Sequence, residues 1–322
     1  MTRARVTVER FTGEAHGPWD DFVRDSRNGT FLFLRDYMEY HQDRFEDHSL
    51  IVRDVREQGT ILALLPASRR GDVLESHGGL TYGGIVSNAA MTAPKMLEVF
   101  DALLEHLRQE SFARLRYRAV PHIYHRAPAE EDLYALARNG ASLVHRTVLS
   151  VLDSRHPVAA QERRGRGVRK ALAAGLACRE TDDLAAYWSL LAQVLQETFG
   201  AKPVHSLEEI SLLQRRFHRN IRLFGCFREA SLVAGVLIYE TPTVARAQYI
   251  AASPAGKELA ALDLLFDFLL REAYADKGFF DLGTSESADG RDLNHGVLEF
   301  KESLGARTIA VDTYELAVGP RR

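Results

Sequence analysis

The chain has 322 residues, of which 46% are hydrophobic and 26% are charged, as is usual for a soluble globular protein. Its formal net charge of −3 excludes a molecule-wide field that would attract nucleic acid or an anionic membrane. One domain usually has about 100–200 residues, so we expect two domains here, at residues 1–155 and 156–322.

The N-terminal run MTRARVTVERFTGE contains no apolar segment of the kind found in secretory signals. No apolar run elsewhere approaches the roughly 18 residues that a membrane-spanning helix needs. We therefore expect a cytoplasmic protein with no membrane-spanning segment. Cys178 and Cys226 lie far apart in the sequence and form no CxxC motif, so we expect two buried free thiols rather than the alternatives, a disulfide or a nucleophile.

The first half of the chain predicts strands, then a long helix, then a further strand. Apolar or alternating runs predict two strands around a polar break at residues 57–59, and a glycine-rich β segment follows at residues 78–88. Thr92 and Pro94 mark the start of a helix. Its apolar residues recur on one face: Met96, Val99, Phe100, Leu103, Leu104 and Leu107. The run RLRYRAVP then predicts a strand.

The second half repeats this order. IRLFGCFRE and SLVAGVLIYET predict a hairpin, and VARAQYIAASPAG predicts a strand that enters a loop. Residues 257–278 predict one long helix, and FFDLGTS and TIAVDTYELAV predict two further strands. The repeated order indicates a mixed α/β fold built by duplication.

A basic segment, residues 156–175, lies between the two halves. It concentrates arginine and lysine near a predicted helix start, at residues 163–170. An exposed helix face explains such a cluster, and so does an anion site built from basic side chains and helix N-terminal amides. Because ligands favour domain interfaces, we expect Arg169 and Lys170 to contact substrate in a cleft between the two halves.

Sequence signatures of several enzyme classes are absent. The chain has no GxSxG, HExxH, GxxxxGK[ST] or GxGxxG motif. His122 and His125 come close to metal-ligand spacing, but no second His or Cys pair follows, so we expect no metal site. The strand, loop and helix at residues 246–270 remain as a candidate binding site. A small-residue loop at the start of a helix can present backbone amides to a phosphate.

The order of elements, together with particular runs, resembles the tandem GNAT acyltransferase fold and its FemAB-like branch. The runs are LTYGGIV, VPHIYHRAPAEEDLYALARNGA, KPVHSLEE, AQYIAASPAGKELAALDLL and FDLGTSESADGRDLNHGVLEFKESLGAR, and the resemblance extends from about residue 30 to residue 316. It implies two tandem GNAT-like domains, each a mostly antiparallel sheet with flanking helices. The branch includes acyltransferases found with bacterial surface-polysaccharide genes. It is distantly similar to the Fem aminoacyltransferases, which use aminoacyl-tRNA to build peptidoglycan cross-bridges.

The resemblance implies a donor-binding loop. GNAT enzymes hold the pyrophosphate of coenzyme A with a Q/R-x-x-G-x-G/A loop. In this chain SPAGKELAA retains one glycine of that pattern, Gly256, with Ser253 and Lys257 beside it as further donor-binding candidates. Because the loop departs from the pattern, two donors stay open: acetyl-CoA or another acyl-CoA, and an aminoacyl-tRNA.

The resemblance also implies a catalytic lysine. By match with the FK turn in the last helix of Fem relatives, Lys301 lies near the acyl-transfer site, where an ammonium would stabilise a developing oxyanion. The alternative is a helix lysine that pairs with Glu299 or Glu302. Asp281 ends the preceding strand and is a candidate for the general base, or else a cap of the turn that follows.

Further candidates would bind substrate or assist catalysis. Tyr249 and Gln248 are strand neighbours, so one of the two should face the cleft, Tyr249 as a catalytic group or Gln248 as a substrate contact. Asn294 either holds its loop or touches substrate. Tyr82 occupies the analogous strand of the first half, where Gly83 would let a ligand approach the backbone or would form a bulge.

The expected function is acyl transfer, without a metal, from a thioester or ester donor to an amine or hydroxyl of a small molecule or cell-envelope precursor. One alternative is a Fem-type tRNA-dependent aminoacyltransferase, in which the basic segment would hold the tRNA; the mild net acidity disfavours it. Another is a degenerate, non-catalytic GNAT-like binding protein, which would explain the altered loop. The oligomeric state stays open.

Overall fold

The computed structural model describes residues 5–76, 78–286, 290 and 292–319. Part of the predicted polar loop, at residues 287–289 and 291, lies outside the described residues. The chain forms two compact units, which we call unit 1 and unit 2. Unit 1 contains the described residues up to Thr147 and those from Ala310, and unit 2 is Val148–Ile309. The sequence boundary between residues 155 and 156 stays a prediction about domains.

The strands within the described residues vary from two to twelve residues in length. In chain order they are β1 (Val6–Arg10), β2 (Glu46–Asp47), β3 (Leu50–Asp54), β4 (Thr60–Leu65), β5 (Ser68–Arg70), β6 (Val73–Glu75), β7 (Val86–Ser87), β8 (Arg114–Arg118), β9 (Ser142–Asp153), β10 (Leu176–Glu180), β11 (Ile221–Arg228), β12 (Ser231–Glu240), β13 (Val244–Ala252), β14 (Phe279–Thr284) and β15 (Arg307–Ala317).

The α-helices of the same residues lie between these strands. In chain order they are α1 (His16–Asp25), α2 (Arg35–Met38), α3 (Ala93–Gln109), α4 (Glu131–Arg138), α5 (Glu162–Ala173), α6 (Leu184–Phe199), α7 (Leu207–Arg216), α8 (Pro254–Glu258), α9 (Ala261–Phe268) and α10 (His295–Ser303).

Unit 1 contains two groups of paired strands. β1, β3, β4 and β7 form an antiparallel sheet, and β15, β8, β6, β5 and β2 pair in that order, with β6 and β8 parallel. The helix α3 buries the predicted apolar face in the core of this unit, because its side chains recur at helical spacing. That prediction is confirmed.

Unit 2 is built on strands in the order β10, β11, β12, β13, β14 and β9. All neighbours are antiparallel except β13 and β14, which are parallel. Along β12, Ala234 and Val236 pack in the cluster that includes α9, whereas Gly235 faces the Tyr187 ring of α6. The sheet is therefore covered by helices on both faces, and the predicted mixed α/β class with mostly antiparallel sheets and flanking helices is confirmed.

The single long helix predicted at residues 257–278 is wrong. The segment forms α8, then α9, and then a π-helical turn at Leu269–Ala273. Ala260 separates α8 from α9 because its φ of 58° is left-handed, a conformation in which an α-helix cannot continue. The break makes α8 a separate short helix at the end of β13.

Candidate functional site

A cleft opens in unit 2 where β13 and β14 separate. The two strands pair over three positions, of which the last joins Arg246 and Asp281, and the described residues contain no later pair between them. The space beyond has a volume of about 460 Å³, and we call it the β13–β14 cleft. Its walls combine apolar side chains with cations, among them Ile250, Leu262, Phe300, Arg246, Lys257 and Lys301.

A β-bulge distorts β13 at this cleft. Leu237 of β12 lies opposite Tyr249, but the next residue, Ile238, lies opposite Ala247, so Gln248 is the extra residue. Bulges occur often beside active sites, because they redirect a side chain and interrupt the hydrogen-bond ladder. Gln248 lines the cleft, so of the two neighbours it is Gln248 that faces it.

Lys301 of α10 reaches the cleft from a buried position, with 4% of its surface exposed. Its Nζ donates to the carbonyls of Gly283 at 3.1 Å and Thr284 at 2.5 Å. An ammonium has three N–H groups, so one remains for a ligand in the cleft. Within the described chain Lys301 forms no ion pair with Glu299 or Glu302.

The charge of Lys301 is set by its surroundings. Burial lowers its pKa to about 8, the Asp281 carboxylate opposes that change, and the Arg246 guanidinium adds to it. The ammonium is therefore the main form at neutral pH, but it loses its proton far more readily than an exposed lysine does.

Asp281 is fully buried at the point where the strands part. One carboxylate oxygen accepts from the guanidinium of Arg246, and the other accepts from the N–H of Gly283 at 2.7 Å. Arg246 Nε also donates to Gln248 Oε1 at 3.1 Å. Asp281 therefore connects the two strands and holds an arginine beside Lys301.

Tyr249 lies away from the cleft lining, toward α6. Its hydroxyl is 2.7 Å from His205 Nδ1, and its ring packs edge-on against Trp188. Burial raises the pKa of Tyr249 to about 12. The structure thus joins Lys301, Asp281 and Gln248 at one place and puts Tyr249 in a separate aromatic cluster.

The predicted donor loop lies between β13 and α8, and Lys257 lines the cleft. Ser253 is the N-cap of α8, and its hydroxyl accepts from the N–H of Gly256 at 3.0 Å. Pro254 has no N–H, so the first turn offers the N–H of Ala255 together with the Lys257 ammonium. A pyrophosphate cradle uses several amides, and this loop does not fit that pattern.

Asn294 caps α10: its side-chain oxygen accepts from the N–H of Val297 at 3.1 Å. Its own N–H donates to the carbonyl of Ser285 at 2.7 Å. The residue therefore fixes the start of the helix that carries Lys301.

The other predicted substrate contacts lie outside the cleft lining. In unit 1, the buried Tyr82 hydroxyl donates to Thr30 Oγ1 at 3.2 Å, and the N–H of Gly83 donates to the carbonyl of Arg118. Arg169 and Lys170 are exposed on α5. Within the basic segment, Glu162–Ala173 form α5, and Arg163 of this helix pairs with Glu299.

Arg246 is the cleft residue that the sequence analysis missed. Its signal was an arginine inside a buried strand, two residues before Gln248 in VARAQYI. A charged residue at such a position is rarely buried unless it has a partner. The partner, Asp281, is 35 residues away, which pattern analysis along the chain does not reveal.

Solved structures share this fold over nearly the whole chain. FemX aligns with a TM-score of 0.67 at 12% identity, covering 95% of this chain and 96% of FemX. A C-terminal domain assigned to a lysylphosphatidylglycerol synthetase of Agrobacterium fabrum aligns with a TM-score of 0.59 at 12% identity, covering 95% and 92%. A tandem GNAT protein from the clavulanic acid biosynthesis pathway aligns with a TM-score of 0.51 at 15% identity, covering 98% and 100%.

Comparisons with protein-family models and with curated protein sequences gave no match. The chain therefore has the GNAT-type fold of these structures, and the predicted FemAB-like and GNAT resemblance is confirmed for the fold. Among the described residues, no helix is both long enough and apolar enough to span a membrane. The same residues contain no group of three or more His, Cys, Asp or Glu arranged to hold a metal ion.

Proposed function

We propose that unit 2 is an acyltransferase whose active site is the β13–β14 cleft. The observation that carries this proposal is the buried ammonium of Lys301, which lies where two parallel strands separate and has one N–H left for a ligand. Such a group, held in place before the reaction, is suited to the negative charge that develops on an acyl oxygen.

The donor would enter along the free edge of β13. After Arg246 this edge has no strand partner among the described residues, so an extended donor arm can add to it by backbone hydrogen bonds. Ile250, Leu262 and Phe300 supply an apolar wall for the arm. Lys257 would contact a phosphate at the outer end.

The reaction is the transfer of an acyl group from a thioester or ester to an amine or hydroxyl. The acceptor's lone pair attacks the acyl carbonyl, the bond to the donor sulfur or oxygen breaks, and the acceptor's proton leaves with the donor group or to solvent. Lys301 would stabilise the oxyanion of the tetrahedral intermediate. One hydrogen-bond donor in this role increases kcat by a factor of about 10²–10³.

Asp281 has two possible roles at this site. From the sequence, Asp281 is a candidate for the general base or a cap of the turn that follows. Its contacts with Arg246 and with the N–H of Gly283 favour a positioning role, in which its negative charge keeps Lys301 protonated. We adopt the positioning role, because both carboxylate oxygens already accept hydrogen bonds from the protein.

The donor loop and the structural neighbours bear on the substrate. The loop offers few amides to a pyrophosphate, which favours a donor held by its acyl arm, such as an aminoacyl ester. One neighbour is assigned to a synthetase of lysylphosphatidylglycerol, an aminoacyl ester of a lipid. We propose an aminoacyl or acyl group as cargo, and an amine or hydroxyl of a cell-envelope precursor as acceptor.

Transfer assays with two donors test this proposal. The full chain is incubated with acetyl-CoA or with a mixture of charged tRNAs, and transfer to an amine or hydroxyl acceptor is followed with a labelled acyl group. We expect transfer from at least one donor. If acyl-CoA is the donor, Lys257→Ala should raise the KM for it by about fivefold or less, as for an exposed ion pair, with kcat unchanged.

If an aminoacyl-tRNA is the donor, a variant of α5 tests how the tRNA is bound. Arg169→Ala combined with Lys170→Ala removes the exposed cations of α5 and should weaken tRNA binding and its salt dependence, because fewer counterions are released. If neither donor gives transfer, the catalytic proposal is wrong and the non-catalytic alternative replaces it.

A further inference from the structure

The two cysteines of the chain lie opposite each other on neighbouring strands of unit 2. Cys178 of β10 and Cys226 of β11 are Cα partners in an antiparallel pair. The same strand register places Thr181 opposite Leu223. The N–H of Thr181 donates to the carbonyl of Leu223 at 2.9 Å, so these two residues form a hydrogen-bonded pair. Hydrogen-bonded and non-hydrogen-bonded pairs alternate along such a ladder. Cys178, three residues before Thr181, therefore occupies a non-hydrogen-bonded pair with Cys226.

This position suits a disulfide. Cα atoms of a non-hydrogen-bonded pair lie about 4.5 Å apart, and the two side chains project from the same face of the sheet. Disulfides span Cα distances of about 4.4–6.8 Å, so the pair falls at the short end of the range. A bond there would be reducible rather than permanent, because disulfides that solvent can reach exchange more readily and Cys178 is only half-buried.

The two thiols differ in exposure. Cys226 is fully buried in the core of unit 2, whereas Cys178 is half-buried, and both are free thiols in the structure. β10 is an edge strand, since it pairs with β11 alone among the described strands. A small oxidant therefore reaches Cys178 first.

The two sulfurs also interact. The pKa of the Cys178 thiol is raised by its interaction with Cys226 and by burial, so exposure and not acidity makes Cys178 the first thiol to react. Once the Cys178 sulfur is in a mixed disulfide, the neighbouring Cys226 thiolate is placed to attack it.

We propose that Cys178 and Cys226 form a reversible intramolecular disulfide, with a small disulfide such as oxidised glutathione as the oxidant. The Cys178 thiolate attacks one sulfur of the oxidant, whose S–S bond breaks and releases one thiol. The Cys226 thiolate then attacks the Cys178 sulfur and releases the second thiol. Two cysteine thiols are oxidised, one external disulfide is reduced, and the two cysteine protons end on the released thiols. The new bond ties the edge strand β10 to β11.

Intact-mass analysis of the folded full chain tests this proposal. After incubation with oxidised glutathione we expect both thiols to be lost, the mass to fall by two hydrogen atoms, and no glutathione to be retained. Excess reduced glutathione should restore both thiols. A wild-type chain that keeps both thiols, or that stops at a stable mixed disulfide, would overturn the proposal.

Two variants separate the steps. Cys226→Ser removes the resolving thiol, so Cys178 should retain one glutathionyl group. Cys178→Ser leaves a buried thiol, which should stay unmodified in the folded protein. An unmodified Cys226→Ser chain would show that Cys178 is out of reach, and a glutathionylated Cys178→Ser chain would contradict the assigned order of attack.

Discussion

The charge of Lys301 depends on pH close to neutrality. Its pKa is about 8 because the side chain is buried, and the ammonium form is the one that can stabilise an oxyanion. The protonated fraction falls as the pH rises through about 8. We therefore expect kcat to fall on the alkaline side of a pH profile, with a midpoint near that value if no other group limits the rate.

Substitution of Asp281 distinguishes its two proposed roles. The Asp281 carboxylate raises the pKa of Lys301, so Asp281→Asn should move the alkaline limb of the kcat profile to lower pH. If Asp281 is instead the general base, its loss should in addition lower kcat strongly at every pH, including the plateau below the alkaline limb. The pH dependence of kcat for the wild type and the variant decides between these outcomes.

A second titratable group lies in unit 1, away from the proposed chemistry. Asp132 is buried, accepts a hydrogen bond from the Tyr117 hydroxyl, and has its pKa raised to about 6 by burial. Because the folded pKa lies above the unfolded value of 3.8, the folded state binds more protons between about pH 4 and 6. Stability should therefore fall as the pH rises through this window, by at most about 3 kcal/mol.

The Asp132→Asn variant removes this titration while it keeps a side chain of the same shape. As the pH is raised from about 4 to about 6, the thermal unfolding midpoint (Tm) of the wild type should fall relative to the Tm of the variant. Parallel curves for the two proteins would show that Asp132 ionises normally in the folded state.

Single residues illustrate what the sequence could reveal about the site. Lys301 and Asp281 were predicted as site residues because a family resemblance and a strand end pointed to them. The structure places Lys301 in the cleft wall and Asp281 behind it, bonded to Arg246. Arg246 was missed, and Gln248 could not be chosen over Tyr249. The choice depends on a β-bulge, which is defined by the pairing of two strands. The alternation of residues along one strand does not predict it.

At the scale of elements, the short helix α8 sets the outer end of the cleft. Gly256 lies so close to β12 that a Cβ atom would be 2.2 Å from the carbonyl oxygen of Val233. Gly256→Ala should therefore push α8 away from the sheet and destabilise unit 2 by about 1–3 kcal/mol, as overpacking does. Unfolding by urea measures the change.

A matched glycine provides the control. Gly165 is exposed in α5, and the nearest atom to an added Cβ is Arg169 Nη1 at 3.8 Å. Gly165→Ala should stabilise the protein by about 0.5–1 kcal/mol, because alanine loses less backbone entropy in a helix. Equal effects of the two substitutions would contradict the close packing of α8.

The elements also show why local patterns fail at particular points. The apolar period continues through residues 257–278, so it predicts one helix. The left-handed backbone at Ala260 arises at an alanine, for which no local rule predicts a break. The amphipathic face of α3, by contrast, is fixed by periodic burial alone and was predicted residue by residue.

At the scale of the whole molecule, the order of strands and helices was enough to indicate the fold, because each element has its own period and the order repeats. The pairings that build the two candidate sites join distant parts of the chain, as in Arg246 with Asp281 and Cys178 with Cys226. These contacts depend on strand register, which tertiary packing determines.

The most direct test of the central claim is kcat of the Lys301→Met variant, measured with the donor and acceptor on which the wild type acts. Methionine keeps most of the length and the apolar stem of lysine but carries no charge. We predict that kcat of the variant is lower than that of the wild type by a factor of about 10²–10³. The variant should still fold and bind the donor. A variant that is folded and turns over at the wild-type rate would contradict the claim that this cleft performs acyl transfer through Lys301.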